Sequence, residues 1–172
     1  GRPPGAPPGA GWWAGPPAGA RVGGTWGVRG CVPKKLWAYA SRFADEFEEA
    51  KGFGWTMSEP KFDWATLIAN KDKEIDRLEK AYTANLERSK VEIVKSRAEI
   101  VDPHTVKLTA TGETVRAKHI LIATGGSPSL GKDIEGREHV ISSNEAFHLK
   151  ELPKRIVIQG GGYIALEFAT IF

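Results

Sequence analysis

The chain changes its hydrophobic periodicity about halfway along. Apolar side chains recur every three to four residues in 31–48 and in 64–88, which predicts two amphipathic helices. The glycines and the proline in 51–60 predict a loop between these helices. Further on, alternating apolar and polar residues in 91–94 and 105–109 predict strands. Helices and strands therefore follow each other in one chain, which predicts the α/β fold class.

Two apolar runs in the second half each lead directly into glycine. Residues 119–124 end at Gly125, which predicts a buried strand. Residues 155–159 end at Gly160, and the pattern after them predicts a helix that starts at Tyr163. The region between, 127–154, is predicted to be mostly loop with short helix.

The first 21 residues have a different composition from the rest of the chain. They contain only Gly, Pro, Ala, Arg and Trp, and the first branched aliphatic residue is Val22. Such a segment cannot bury a core, so we predict that residues 1–21 are disordered and lack packed secondary structure. One interpretation is a proline-rich ligand for an aromatic groove. The favoured one is a translated frameshift in GC-rich DNA, since all five residue types have GC-rich codons.

Charge and cysteine content exclude several classes of function. The net charge of +3 is spread among interleaved acidic and basic residues, so no clustered basic face for nucleic acid is expected. No window of 18 apolar residues exists to span a membrane, and the first residues do not form a signal peptide. Cys31 is the only cysteine, which excludes an intrachain disulfide and fits a reducing compartment such as the cytoplasm.

The C-terminal glycines fit a dinucleotide fingerprint that follows a strand and opens a helix. Gly160 permits the tight turn, Gly162 lets the backbone approach a pyrophosphate, and Ala165 allows close packing of the helix on the strand. The helix start offers free N–H groups to the phosphates. The residue that separates NAD from NADP is expected beyond Phe172, so this motif leaves both cofactors open.

The surroundings of Cys31 are those of a reactive thiol. It is predicted at or just before the start of a helix, with Lys34 and Lys35 close by. The helix dipole and the two cations favour the thiolate form. The alternative is a buried and inert thiol, which is the usual fate of a free cysteine.

Two short segments resemble the glutathione reductase family of flavin disulfide reductases. They are Val22-Gly23-Gly24-Thr25 and Gly30-Cys31-Val32-Pro33-Lys34-Lys35. The lysine pair after the proline favours the glutathione branch, because the dihydrolipoamide dehydrogenase branch usually has Ile-Pro-Ser-Lys there. The resemblance runs from Val22 to the chain end. It implies an FAD-binding Rossmann-like domain over 22–150, lacking its first strand and fingerprint, and the start of an NADPH-binding Rossmann-like domain over 151–172.

The resemblance also implies an activity, which is the reduction of glutathione disulfide by NADPH through FAD and a redox disulfide. Cys31 matches the redox thiol nearer the flavin, Lys34 and Glu167 match a pair beside the flavin ring, and Tyr82 matches a residue that contacts glutathione. A homodimer is implied for the full-length family. The positions implied to bind the cofactors are Gly24, Thr25, Lys34, Ala123, Thr124, Gly125, Gly160, Gly162, Tyr163 and Ala165.

Three departures from the family pattern limit this expectation. Trp26 stands where the second redox cysteine belongs, and an indole cannot supply the attacking thiolate of disulfide exchange. The flavin fingerprint expected in the first 20 or so residues is absent, and the dimer-interface domain with its catalytic histidine is expected beyond this sequence. We therefore expect this chain itself to be inactive. The alternatives are a trypanothione or dihydrolipoamide type of reductase, a nucleotide-binding module without turnover, and an interaction protein that uses the proline-rich segment.

Overall fold

A computed structural model describes residues 12–14, 21–130 and 134–172, and for 12–14 it describes the backbone only. The chain divides into two compact units. The first combines Gly1–Gly24 with Leu78–Ser127, and the second combines Thr25–Arg77 with Pro128–Phe172.

Helices account for most of the regular structure in the described residues of the second unit. Helix α2 spans Cys31–Ala50 and α3 spans Trp64–Arg88, so both long helices predicted from periodicity are confirmed. The predicted short helices after residue 127 are also found. The remaining helices are α1 (Gly24–Val28), α4 (Ser143–Ala146), α5 (Tyr163–Ile171) and two 3₁₀ turns at Lys51–Phe53 and Arg137–His139.

Local chemistry fixes where the long helices begin and end. Helix α2 ends at Ala50 and is followed directly by the 3₁₀ turn. Gly54 ends that turn with a φ of 84°, a left-handed conformation that glycine adopts without strain. Asp63 precedes α3 and accepts a hydrogen bond from the Thr66 backbone N–H at 3.0 Å, which satisfies a free donor of the first turn. The Thr66 hydroxyl also donates to Asp63, and these hydrogen bonds lower the pKa of that carboxyl.

An aromatic cluster forms the core of the second unit. Trp37 of α2 is fully buried, and its ring centroid lies 5.0 Å from that of Trp64 on α3 and 5.0 Å from that of Phe147. Phe168 of α5 packs on Phe147 with centroids 5.4 Å apart. Helices α2, α3 and α5 are therefore joined through rings, which bury a large apolar area per side chain.

Among the described residues of the first unit, five short strands form two sheets. Strand β1 (Trp12–Ala14) pairs in parallel with β2 (Glu92–Val94), which confirms the strand predicted at 91–94. The other sheet is an antiparallel meander of β3 (Ala98–Asp102), β4 (Thr105–Leu108) and β5 (Thr114–Arg116). Its middle strand confirms the prediction at 105–109. The outer two strands were not predicted.

Three sequence predictions were wrong in whole or in part. Residues 119–124 and 155–159 form no strand, and Leu121 and Val157 are 89% and 96% exposed. A parallel strand forms only when neighbouring strands satisfy its backbone, and no strand in the described residues pairs with either segment. The expectation of no packed structure in 1–21 fails at Trp12–Ala14, which pairs with β2, while residues 1–11 and 15–20 lie outside the described part of the chain.

Candidate functional site

An open cavity of about 410 Å³ lies at the start of α2 in the second unit. Its lining combines one thiol, two lysines and one carboxylate with apolar side chains. The lining residues are Trp26, Cys31, Val32, Lys34, Lys35, Leu36 and Glu167. Most of the chemistry predicted for the redox segment is thus gathered around one cavity.

Cys31 is the first residue of α2 and is exposed. Gly30 before it has no side chain to cap the helix, so the first-turn N–H groups meet no side-chain acceptor from the capping position. A thiolate at this place faces the positive end of the helix dipole. The alternative of a buried thiol is wrong, because Cys31 is exposed.

Lys34 of α2 and Glu167 of α5 form an ion pair on the wall of the cavity. These residues are 133 positions apart, and their contact was predicted from the resemblance. The Lys34 side chain is only 13% exposed while that of Glu167 is 45% exposed. The Lys34 ammonium also lies 5.5 Å from the centre of the Tyr163 ring, within the range of a cation–π contact. The catalytic roles of the pair remain predictions.

Helix α1 brings Trp26 to the cavity that Cys31 lines. The Trp26 side chain is 57% exposed. Between them, Gly30 lies against the backbone of Thr25, where a Cβ would come within 2.6 Å of the Thr25 carbonyl oxygen. Only glycine lets the chain turn this tightly from α1 into α2. The sequence indicated the two segments but not this close approach.

Replacement of Gly30 by alanine is expected to destabilise the chain by about 1–3 kcal/mol, because the new methyl group forces the α1–α2 junction apart. The matched control is Gly52→Ala, where a Cβ meets nothing within 4 Å and no loss is expected. Urea unfolding followed by circular dichroism measures both. Equal midpoints for the two variants would contradict the role given to Gly30.

The start of α5 carries the glycines of the predicted dinucleotide fingerprint. Gly162 caps this helix without a side-chain hydrogen bond, and a Cβ added at Gly160 or Gly162 would meet nothing within 4 Å. The φ of Gly160 is 111°, a conformation that side chains disfavour. Tyr163, the first residue of the helix, is 72% exposed, and Ala165, the third, is partly buried. An open backbone and free N–H groups fit a phosphate, although the preceding strand is not formed.

The other predicted site residues divide between the two units. Thr25 belongs to the second unit, whereas Gly24, Tyr82 and the segment 123–125 belong to the first. Residues 123–125 are exposed and irregular, and Tyr82 on α3 is partly buried. Their binding roles remain predictions. Among the described residues there is no group of three or more metal-binding side chains, and no helix is long and apolar enough to cross a membrane.

Comparison with known proteins relates most of the chain to one family. The pyridine nucleotide-disulphide oxidoreductase family matches residues 18–172. The glutathione reductase of Pisum sativum, described as chloroplastic/mitochondrial, is 53% identical over 152 residues, which cover 88% of this chain and 27% of that protein. The glutathione reductase of Burkholderia cepacia is 50% identical, with coverage of 88% and 33%. The trypanothione reductase of Trypanosoma congolense is 41% identical, with coverage of 92% and 34%.

A solved structure supports the fold. The copper(II) complex of the HOCl-induced flavoprotein disulfide reductase RclA from Escherichia coli superposes with a TM-score of 0.73 at 23% identity, covering 93% of this chain and 33% of that one. The predicted fold, an incomplete Rossmann-like α/β arrangement, is confirmed by this likeness. The chain spans about a third or less of the length of the relatives it matches.

Proposed function

We propose that this chain, which belongs to the pyridine nucleotide-disulphide oxidoreductase family, is the redox-helix part of an NADPH-dependent glutathione-disulfide reductase. The observation that carries the proposal is the Lys34–Glu167 ion pair on the cavity that Cys31 lines. The pair joins a residue of the redox segment to one of the dinucleotide fingerprint. The identity of 53% with the pea glutathione reductase supports the same function.

In this proposal the residues of the cavity hold charge and a thiol in fixed places. Cys31 lies at the start of α2, the positive end of the helix dipole. Lys34 supplies a positive charge on the same helix one turn further on, and Glu167 fixes the position of that charge. When bound, FAD would supply the electron pair that NADPH delivers as hydride, for the reduction of a redox disulfide formed by two cysteines.

The residues present fit these cofactors unequally. The open start of α5 suits the pyrophosphate of NADPH, and Lys34 suits the negative charge of a reduced flavin ring. The segment 123–125, proposed to pass the flavin nucleotide, is exposed and lacks the strand that would position it. Gly24 and Thr25 at the start of α1 are the other proposed flavin contacts, and Tyr82 is the proposed glutathione contact.

Trp26 prevents this chain from carrying out the whole of the proposed reaction. The proposed reaction needs two thiols. The thiol farther from the flavin attacks glutathione disulfide and releases one glutathione, and the nearer thiol then attacks the resulting mixed disulfide, which releases the second glutathione and closes the redox disulfide. Cys31 can serve as the nearer thiol, but Trp26 offers no sulfur. The chain as it stands is therefore proposed to hold the geometry of the site without completing the exchange.

The setting proposed for the whole protein follows from the resemblance. The whole protein is proposed to be a homodimer that takes glutathione disulfide as substrate and binds neither nucleic acid nor membrane. It is proposed to support redox homeostasis in the cytoplasm. The single cysteine fits such a reducing compartment. The name of the pea relative raises an organelle as the alternative location. Fractionation of the source cells followed by immunoblotting distinguishes the two.

A trypanothione-type reductase is the second candidate, because the Trypanosoma relative is 41% identical. The two candidates differ in the disulfide that they reduce. A graft tests both. Residues 22–172, carrying Trp26→Cys, replace the matching segment of the Burkholderia glutathione reductase. NADPH should bleach its flavin band, and glutathione disulfide should restore the band. Restoration by trypanothione disulfide alone would favour the second candidate, and no bleaching would contradict both.

The single substitution Trp26→Cys in the 172-residue chain is expected to give no NADPH-dependent turnover. The second thiol is then present, but the first 21 residues still lack the composition of a flavin-binding strand and fingerprint. The assay follows NADPH absorbance with glutathione disulfide and added FAD. Robust turnover by this variant would contradict the interpretation of the first 21 residues.

A further inference from the structure

Lys71 of α3 is a buried cation in the second unit. Its side chain is 2% exposed, and its ammonium donates to the Phe147 carbonyl oxygen at 2.8 Å. The ammonium also lies 2.6 Å from a carboxylate oxygen of Asp72, a neighbour whose side chain is 52% exposed. Lysine is almost never fully buried unless paired, because leaving water is costly for an ammonium group.

The segment that Lys71 holds is anchored twice by α3. Trp64, the first residue of this helix, donates its indole N–H to the Leu149 carbonyl oxygen at 2.8 Å. Two donors from α3 thus fix the backbone at residues 147 and 149. A carbonyl held by a directional hydrogen bond has one preferred position, which apolar packing alone does not impose.

The ring of Phe147 connects this anchor to α2 and α5. Its centroid lies 5.0 Å from that of Trp37 on α2 and 5.4 Å from that of Phe168 on α5. Trp37 follows Lys34 by three positions, so the two share one face of α2. Phe168 directly follows Glu167. Phe147, whose carbonyl accepts from Lys71, therefore contacts neighbours of both members of the ion pair through its ring.

We propose that Lys71 is a positioning residue for the Lys34–Glu167 pair. Its ammonium fixes the Phe147 carbonyl, the Phe147 ring fixes the spacing of Trp37 and Phe168, and that spacing brings the Lys34 amine to the Glu167 carboxylate. An apolar side chain of similar volume would fill the same space without the cost of burying a charge, but it could not hold the carbonyl. The positioning of the ion pair by Lys71 is inferred from geometry alone, whereas its importance for redox chemistry rests on the proposed function.

The test measures how well Lys34 is protected in the folded 172-residue chain. Brief acetylation with acetic anhydride, read by peptide mass spectrometry, gives the ratio of modification at Lys34 to that at Lys35. Lys35 is the internal control, because it is the next residue of α2 and is exposed. Glu167→Gln removes the partner of Lys34 and sets the upper limit, with an expected rise in the ratio of about fivefold.

Lys71→Met, which removes the donor, is expected to raise the ratio to at least half of that limit. Lys71→Arg supplies another cationic donor and is expected to keep the ratio within about twofold of the unchanged chain. Ile75→Ala is the matched control for lost packing, because Ile75 is a buried residue of α3 outside the aromatic cluster, and it should leave the ratio unchanged. All variants are labelled where circular dichroism shows full helix content.

Phe147→Leu tests the same relay while Lys71 stays in place. It keeps the backbone carbonyl but replaces the ring with a smaller side chain, so the ratio of Lys34 to Lys35 modification is expected to rise. If Lys71→Met does not fold, a rise for Phe147→Leu together with protection in Lys71→Arg supports the proposal, and any other combination overturns it. An unchanged ratio in folded Lys71→Met overturns it, as does an equal rise in Lys71→Arg or Ile75→Ala. The labelling needs neither flavin nor NADPH, so a failed graft would leave this result intact.

Discussion

In the graft of residues 22–172 into the Burkholderia glutathione reductase, keeping Trp26 is expected to lower the turnover of glutathione disulfide on the order of 10³-fold or more relative to the Trp26→Cys graft. Disulfide exchange begins with attack by a thiolate, and the indole of Trp26 has no atom that can replace it. The side chain is 57% exposed beside the cavity, so it also occupies space that a disulfide substrate would enter. Steady-state oxidation of NADPH measures the difference.

Two controls separate the loss of the thiol from a loss of folding. A graft with Trp26→Ser removes the indole without adding a thiol, and it should be as inactive as the graft that keeps Trp26. Flavin content should be the same in all three grafts. NADPH should bleach the flavin band in the two grafts without the second thiol at least as fully as in the Trp26→Cys graft, because they have no redox disulfide to take the electron pair from the flavin. Turnover by the graft that keeps Trp26 within tenfold of the Trp26→Cys graft would contradict the assignment of position 26. Loss of bleaching only in the graft that keeps Trp26 would point to misfolding.

The helices could be predicted from the sequence because their signal is local. The apolar stripe of α3 repeats over 25 residues, and one turn of helix satisfies the backbone of the next. The parallel strands expected at 119–124 and 155–159 could not be predicted from apolar content, because such strands depend on neighbours elsewhere in the chain. The same dependence explains why Trp12–Ala14 forms a strand in a segment that lacks branched aliphatic residues, since its backbone pairs with β2.

In the candidate site as well, some features could be predicted from the sequence and others could not. The position of Cys31 at a helix start, with two lysines close by, could be predicted from the sequence, and it is the basis for the predicted reactivity of this thiol. No local rule joins Lys34 to Glu167, and their contact was predicted only through resemblance to a family. The close approach at Gly30 gave no sequence signal, because a glycine before a cysteine looks ordinary in the sequence. Lys71 lies three residues after Ile68 and four before Ile75, within the apolar stripe of α3, so its burial could have been predicted from the spacing. Its partner, the Phe147 carbonyl, could not, because the two residues are 76 positions apart.

Replacement of Trp37 by alanine is expected to destabilise the second unit by about 3–5 kcal/mol, the usual range for deleting a large buried aromatic side chain. Trp37 is fully buried and contacts the rings of Trp64, Phe147 and Phe172. Since a whole domain is typically stable by about 5–15 kcal/mol, this loss would remove a large share of the free energy of unfolding. Urea unfolding followed by circular dichroism provides the measurement.

The matched control for that experiment is Trp55→Ala, because Trp55 is the same residue type but 68% exposed, and its loss should change stability by no more than about 0.5 kcal/mol.

Trp37→Phe adds a second comparison. The buried indole N–H of Trp37 has no hydrogen-bond partner within the described part of the chain. Phenylalanine removes that unpaired donor, which offsets part of the lost packing by about 1–3 kcal/mol. Trp37→Phe should therefore lose less than half as much stability as Trp37→Ala. Equal losses in these two variants, or a loss in Trp55→Ala as large as in Trp37→Ala, would contradict the placement of Trp37 at the centre of the core.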